Sequence, residues 1–87
     1  MHYVYILKRR EDKKIYIGLT KDLKRRLKEH RFGKVKSTKH YGKLILIYYE
    51  AFRNWEDAEE REKQLKYHGQ ALGQLKRRLK KSFEDNV

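Results

Sequence analysis

The chain has no cysteine and no proline among its 87 residues. Without cysteine there are no disulfides and no thiolate metal sites, and the redox compartment is left open. Without proline, turns fall to polar residues and to the five glycines. No apolar run approaches the roughly 18 residues expected of a membrane span, and no signal-peptide pattern opens the chain. A cytoplasmic location with no membrane partner is the default expectation. Negative charge is short as well: 12 acidic residues stand against 24 Lys and Arg, a formal net charge of +12. Such an excess in so short a chain points to a polyanionic partner, DNA or RNA before an acidic membrane surface.

What is present reads as one small α/β domain spanning residues 1–87. "HYVYILK", 2–8, is rich in aromatic and β-branched residues and predicts a strand; "IYIGL", 15–19, predicts a second, paired antiparallel across the charged loop "RREDKK". A helix is predicted from about 21 to 31, with Thr20 as its cap and Asp22 in its first turn. A basic loop follows over 31–43, and the apolar run "LILIYYEAF", 44–52, is expected to be the central strand. Asn54, with Asp57 three residues on, suits a helix start; Gly69 is expected to end that helix in a left-handed turn. A last helix is placed at about 70–82, with a frayed tail "EDNV".

Helical geometry singles out some residues from the general charge. At about 100° per residue, Leu23, Arg26, Leu27 and His30 fall on one side of their helix, while Lys24, Arg25, Lys28 and Glu29 face elsewhere. Arg26 offers paired donors suited to phosphate, and His30 one turn later can move a proton or bind a phosphate oxygen. In the helix from 54 to 68, Trp55, Ala58, Glu62 and Leu65 share a face. A carboxylate in such a stripe is costly unless it is paired or binds a cation. A structural salt bridge and a metal or catalytic role are both open for Glu62. Tyr3 and Tyr5 share one face of the first strand, opposite Val4 and Ile6, and Tyr16 shares a face of the second with Gly18. Gly18 leaves room for a close approach of backbone or ligand.

Several site types are missing. There is no phosphate-binding glycine loop, zinc-finger spacing or HExxH, and His2, His30, His40 and His68 are too scattered for a histidine metal site.

The stretch Tyr16-Ile17-Gly18, with Tyr3-Val4-Tyr5 about ten residues before it, resembles the two halves of the GIY-YIG nuclease motif. "TKDLKRRLKEH", "KSTK" ahead of a hydrophobic strand ending in "YYE", and "AEEREKQLK" extend the likeness over nearly the whole chain. The chain is similar to small single-domain members of that superfamily, related to the nuclease part of the bacterial excinuclease. It departs from the pattern at Tyr3, where the motif has glycine, and at Gln74, where many members have asparagine.

The resemblance implies a three-stranded antiparallel sheet flanked by helices, and hydrolysis of DNA phosphodiesters with Mg²⁺ or Mn²⁺. It implies Tyr5, Tyr16, Arg26, His30 and Glu62 as catalytic residues, Glu62 being the metal ligand. Lys34, Lys36, Lys39, Arg77 and Arg78 are then expected to grip the nucleic-acid backbone without reading its sequence. A non-catalytic binding module, or a subunit given specificity by a protein partner, are the competing expectations.

Overall fold

The computed structural model describes residues 1–36, 38–39, 42–67 and 69–84. Three strands, β1 (His2–Arg9), β2 (Ile15–Thr20) and β3 (Leu44–Phe52), form one antiparallel sheet in the order β2-β1-β3. Four helices accompany it: α1 (Leu23–Arg31), α2 (Trp55–Tyr67), α3 (Gly69–Arg78) and α4 (Lys80–Glu84). The α+β architecture and the three-stranded antiparallel sheet agree with the expectation from sequence.

The central strand is β1, not β3. β1 is central because it pairs with β2 along one edge and β3 along the other, and its alternating side chains are buried on both faces. Val4 and Ile6 join Ile17 of β2, Ala58 and Leu65 of α2 and Leu75 of α3 in one buried core. Each fully buried leucine there contributes about 1.5–3 kcal/mol. Tyr5 and Leu7 project to the opposite face, which α1 and the loop after it cover; both are buried. β3 is apolar for the same reason, being covered from both sides, but it lies at the edge, with Tyr49 half exposed. Hydropathy reports that cover, whereas position in the sheet depends on which strands pair. A register shift against β3 falls between Ile6 and Leu7.

Helix ends differ from the sequence expectation in instructive ways. Asp22, not Thr20, caps α1, its Oδ1 accepting from the Arg25 amide at 3.1 Å. Thr20 is already engaged in a tight turn, where its Oγ1 accepts from the Asp22 amide at 3.1 Å. At the other end, the Gly33 amide donates to His30 O at 3.2 Å and the Lys34 amide to Glu29 O at 2.9 Å. Gly33, with φ of 69°, supplies the left-handed residue that this paired closure requires. Gly69 opens α3 rather than closing α2, and the predicted last helix is divided at Leu79. Asn54 does precede α2, its carbonyl accepting from the Ala58 amide at 3.3 Å. The expected frayed tail falls on 85–87, outside the described residues, while Glu84 closes α4.

Two polar links tie the helical layer to the sheet. Arg61 of α2 grips Glu50 of β3 through Nε and Nη2 at 2.9–3.1 Å, and the Tyr48 hydroxyl donates to the same carboxylate at 2.7 Å. Burial would raise the Glu50 pKa, but these bonds and charges hold it below the ordinary value. Lys8, buried on β1, donates to the Phe83 carbonyl of α4 at 3.2 Å.

Candidate functional site

The opposite face of the sheet carries a cluster of polar and aromatic groups. In the β1–β2 ladder Tyr5 stands opposite Gly18. A Cβ at position 18 would lie 2.7 Å from Tyr5 Cε1 and nearer still to Cζ and the hydroxyl oxygen. The backbone there is ordinary strand, so glycine is needed for space and not for its conformational freedom. It is the Tyr5 ring that makes the close approach allowed by position 18.

That placement carries the Tyr5 hydroxyl to α1. Its oxygen lies 2.8 Å from His30 Nε2, and the other ring nitrogen, Nδ1, lies 2.7 Å from Thr38 Oγ1. Tyr5, His30 and Thr38 are 0%, 6% and 2% exposed. Tyr16 joins them, its ring centroid 5.1 Å from that of His30 and 6.3 Å from that of Tyr5. Arg26, one turn before His30, lies against the Tyr5 hydroxyl. Its Nη1 donates to Glu29 Oε1 at 3.0 Å, which holds the guanidinium plane in place.

Burial sets the protonation states. Desolvation pushes the Tyr5 phenol up to about 12, against the opposing pull of the Arg26 hydrogen bond and charge. The His30 imidazole is held below its usual value, first by burial and then by the Arg26 charge, with Glu29 opposing. Desolvation is the largest influence on Arg26 and works against its charge. The hydrogen bonds to Glu29 and Tyr5 and the charge interactions with Tyr5 and Tyr16 together outweigh it and keep the guanidinium ionised. At neutral pH the cluster therefore holds a neutral phenol, a neutral imidazole and a fixed cation.

The structure thus brings Tyr5, Tyr16, Arg26 and His30 together. Glu62 comes from α2, in the helical layer on the other face of the sheet. Its position between buried Ala58 and Leu65 follows the predicted stripe, while Trp55 is partly exposed and packs edge-on against His2 at 5.3 Å. The Glu62 carboxylate pairs with Lys66 Nζ at 3.3 Å, one turn along the same helix. Among the described residues, no group of three or more His, Cys, Asp or Glu is placed to cage a metal. His40 and His68 lie outside the described residues.

The basic residues divide between the two faces. Lys34, Lys36 and Lys39 are exposed on the loop after α1, and Lys39 lines an open cavity with His30, Arg31 and Lys43. Arg77 and Arg78 are exposed at the end of α3, and the Arg78 charge also acts on Glu50 and Tyr48. Gln74 is exposed on α3.

Two members of the cluster escaped the sequence reading. Glu29 was expected to face elsewhere, but its i,i+3 spacing from Arg26 places it within reach. Thr38 lies in an irregular loop, where no periodicity indicates direction. No helix among the described residues is long and apolar enough to cross a membrane.

Comparison with known proteins adds a separate line of evidence. The GIY-YIG catalytic domain family matches residues 1–80. A UPF0213 protein of Clostridium perfringens (strain 13 / Type A) is 42% identical over 67 residues, covering 76% of this chain and 71% of the relative. A UPF0213 protein of Oceanobacillus iheyensis is 39% identical over 66 residues, 75% of this chain and 76% of its own length. One from Staphylococcus haemolyticus is 38% identical over 66 residues, 75% of this chain and 79% of its own. No solved structure matches the chain.

Proposed function

We propose that this chain, which belongs to the GIY-YIG catalytic domain family, is a single-domain, divalent-metal-dependent endonuclease that hydrolyses DNA phosphodiesters. Membership itself implies a nuclease and DNA as its substrate class. The observation that carries the finer reading is the convergence of Tyr5, Tyr16, Arg26 and His30, with Tyr5 bonded to His30 at 2.8 Å.

Each side chain has a task suited to its state. The Arg26 guanidinium, fixed by Glu29, neutralises charge that develops on the phosphoryl oxygens. Tyr5, with its pKa at about 12, does not act as a free base at neutral pH. It serves as a relay. The attacking water, which has no access to the buried Tyr5, passes a proton to the half-buried Tyr16 hydroxyl. Tyr16 passes its own to the Tyr5 oxygen as the Tyr5 O–H passes its proton to Nε2 of neutral His30. The water oxygen bonds to phosphorus, the bond to the 3′-oxygen breaks, and His30 leaves the step as an imidazolium beside Glu29. Tyr16 orients the water or a phosphate oxygen.

Glu62 fits the demand for a metal ligand. Its carboxylate is a hard oxygen donor, 17% exposed, and magnesium-type ions bind through one or two carboxylates, waters and substrate phosphates. The bridge to Lys66 is no obstacle, because a partly exposed pair is worth about 0–1 kcal/mol. Because α2 packs on the face opposite the Tyr5 cluster, a Mg²⁺ or Mn²⁺ held on Glu62 would share the scissile phosphate with Arg26 across the β2 edge of the sheet. There it would polarise that phosphate and stabilise the leaving 3′-oxygen. Lys34, Lys36, Lys39, Arg77 and Arg78 would hold the backbone without reading sequence, which suits a structure-dependent or weakly sequence-specific enzyme. The competing reading, a binding module that does not cut, draws on the pairing of Glu62 with Lys66.

One assay separates the two. Labelled linear, nicked, flap and single-stranded DNA are incubated with Mg²⁺ or Mn²⁺, with EDTA controls and Glu62→Ala. Metal-dependent product that disappears in the variant, with DNA binding largely retained, is the expected result. No cleavage of any substrate, or equal cleavage by Glu62→Ala, sinks the mechanism.

A further inference from the structure

The proton relay uses one ring nitrogen of His30, and the other faces Thr38. Both contacts are short, 2.8 Å from Nε2 to the Tyr5 oxygen and 2.7 Å from Nδ1 to Thr38 Oγ1. All three side chains are buried, so bulk water does not compete for these bonds. A neutral imidazole has one N–H and one lone pair, so one contact is donated by the ring and the other accepted. The two hydroxyls are not equivalent. A phenol, with an ordinary pKa near 10, is a much stronger acid than an aliphatic alcohol, hence the better donor and the poorer acceptor. The Tyr5 O–H therefore donates to Nε2, and the ring proton sits on Nδ1, donated to Thr38 Oγ1.

We propose that Thr38 is a positioning residue: its hydroxyl oxygen accepts the Nδ1 proton of His30 and holds the tautomer whose Nε2 lone pair faces Tyr5. The backbone is arranged for this contact. The left-handed Gly33 turns the chain back after α1, Val35 anchors the loop in the interior, and the Thr38 amide donates to Val35 O at 3.0 Å. In the opposite tautomer Nε2 would carry the proton and could not receive one from Tyr5. The geometry stands alone, while the consequence for turnover rests on the nuclease reading above.

Two measurements on the full chain test it. Nitrogen NMR of isotopically labelled protein at neutral pH reads the tautomer directly, with the His30 signals identified by their loss in His30→Gln. The wild type is expected to carry its proton on Nδ1. Thr38→Val, which keeps the shape and removes the acceptor, should shift the population toward Nε2–H. Its kcat should fall by about 10-fold or more, part of the ~10²–10⁴ supplied by a positioned proton acceptor, with KM for DNA nearly unchanged. Thr38→Ser should restore both tautomer and turnover. A wild-type proton on Nε2 overturns the proposal, as does Thr38→Val with the wild-type tautomer and full turnover. If Thr38→Val does not fold, the wild-type spectrum and the Ser variant still decide. A wild type that shows the Nδ1 proton but cuts no DNA supports the positioning and defeats the nuclease reading alone.

Discussion

Gly18 and Tyr5 share one space: they face each other in the β1–β2 ladder, and the Tyr5 ring occupies the volume into which a side chain at 18 would project. Because the obstacle is a ring packed in the interior, it has no easy way to move aside. Gly18→Ala should therefore cost about 1–3 kcal/mol, the usual range for overpacking, and should displace the Tyr5 oxygen from His30. Denaturant midpoints and cleavage rates measured together check this. The rate should fall further than stability alone explains, and a variant neutral in both would refute the contact.

A second expectation concerns alkaline pH. The Tyr5 pKa is raised from 10.0 to about 12 by burial, so the folded state keeps a proton that the unfolded chain releases. The associated stability is fully present below pH 10.0 and is lost as pH rises toward about 12. A shift of that size corresponds to about 2–3 kcal/mol. Phenolate absorbance of the native protein should show a late-titrating tyrosine that is missing in Tyr5→Phe.

Acid pH acts through His30 in the opposite sense. Burial first, and then the Arg26 charge, hold its folded pKa below the ordinary 6.5, while Glu29 pulls the other way. The unfolded chain thus binds the proton more readily. Stability from this group is complete above pH 6.5 and is lost as pH falls through the lower folded value. Urea midpoints on either side of pH 6.5 should converge for wild type and His30→Gln as pH falls, after correction for the common titration of other groups. Parallel curves would rule the effect out.

Sequence alone reached much of this arrangement where a local period governs direction. The two-residue alternation of β1 placed Tyr3 and Tyr5 opposite Val4 and Ile6, and the i,i+4 spacing of α1 put Arg26 and His30 on one side. The motif halves at Tyr3–Tyr5 and Tyr16–Gly18, with the basic helix beyond them, were enough to point to the family that matches residues 1–80. These features depend on chain geometry within one element, and a sequence carries that geometry explicitly.

Tertiary structure decided the rest, because it depends on partners distant along the chain. Nothing in "LILIYYEAF" distinguishes a central strand from an edge strand covered on both faces, and only pairing with β1 made β3 an edge. Nor does Arg61 announce its grip on Glu50, eleven residues earlier and across a turn. Gly18 looked like room for a ligand or a backbone, but the folded chain fills that room with its own Tyr5. Thr38 is the clearest case: it reaches His30 because a left-handed glycine returns an irregular loop to the sheet. Local periodicity chose which way Tyr5 and His30 point. Burial and loop closure chose what they touch, and with it their protonation states.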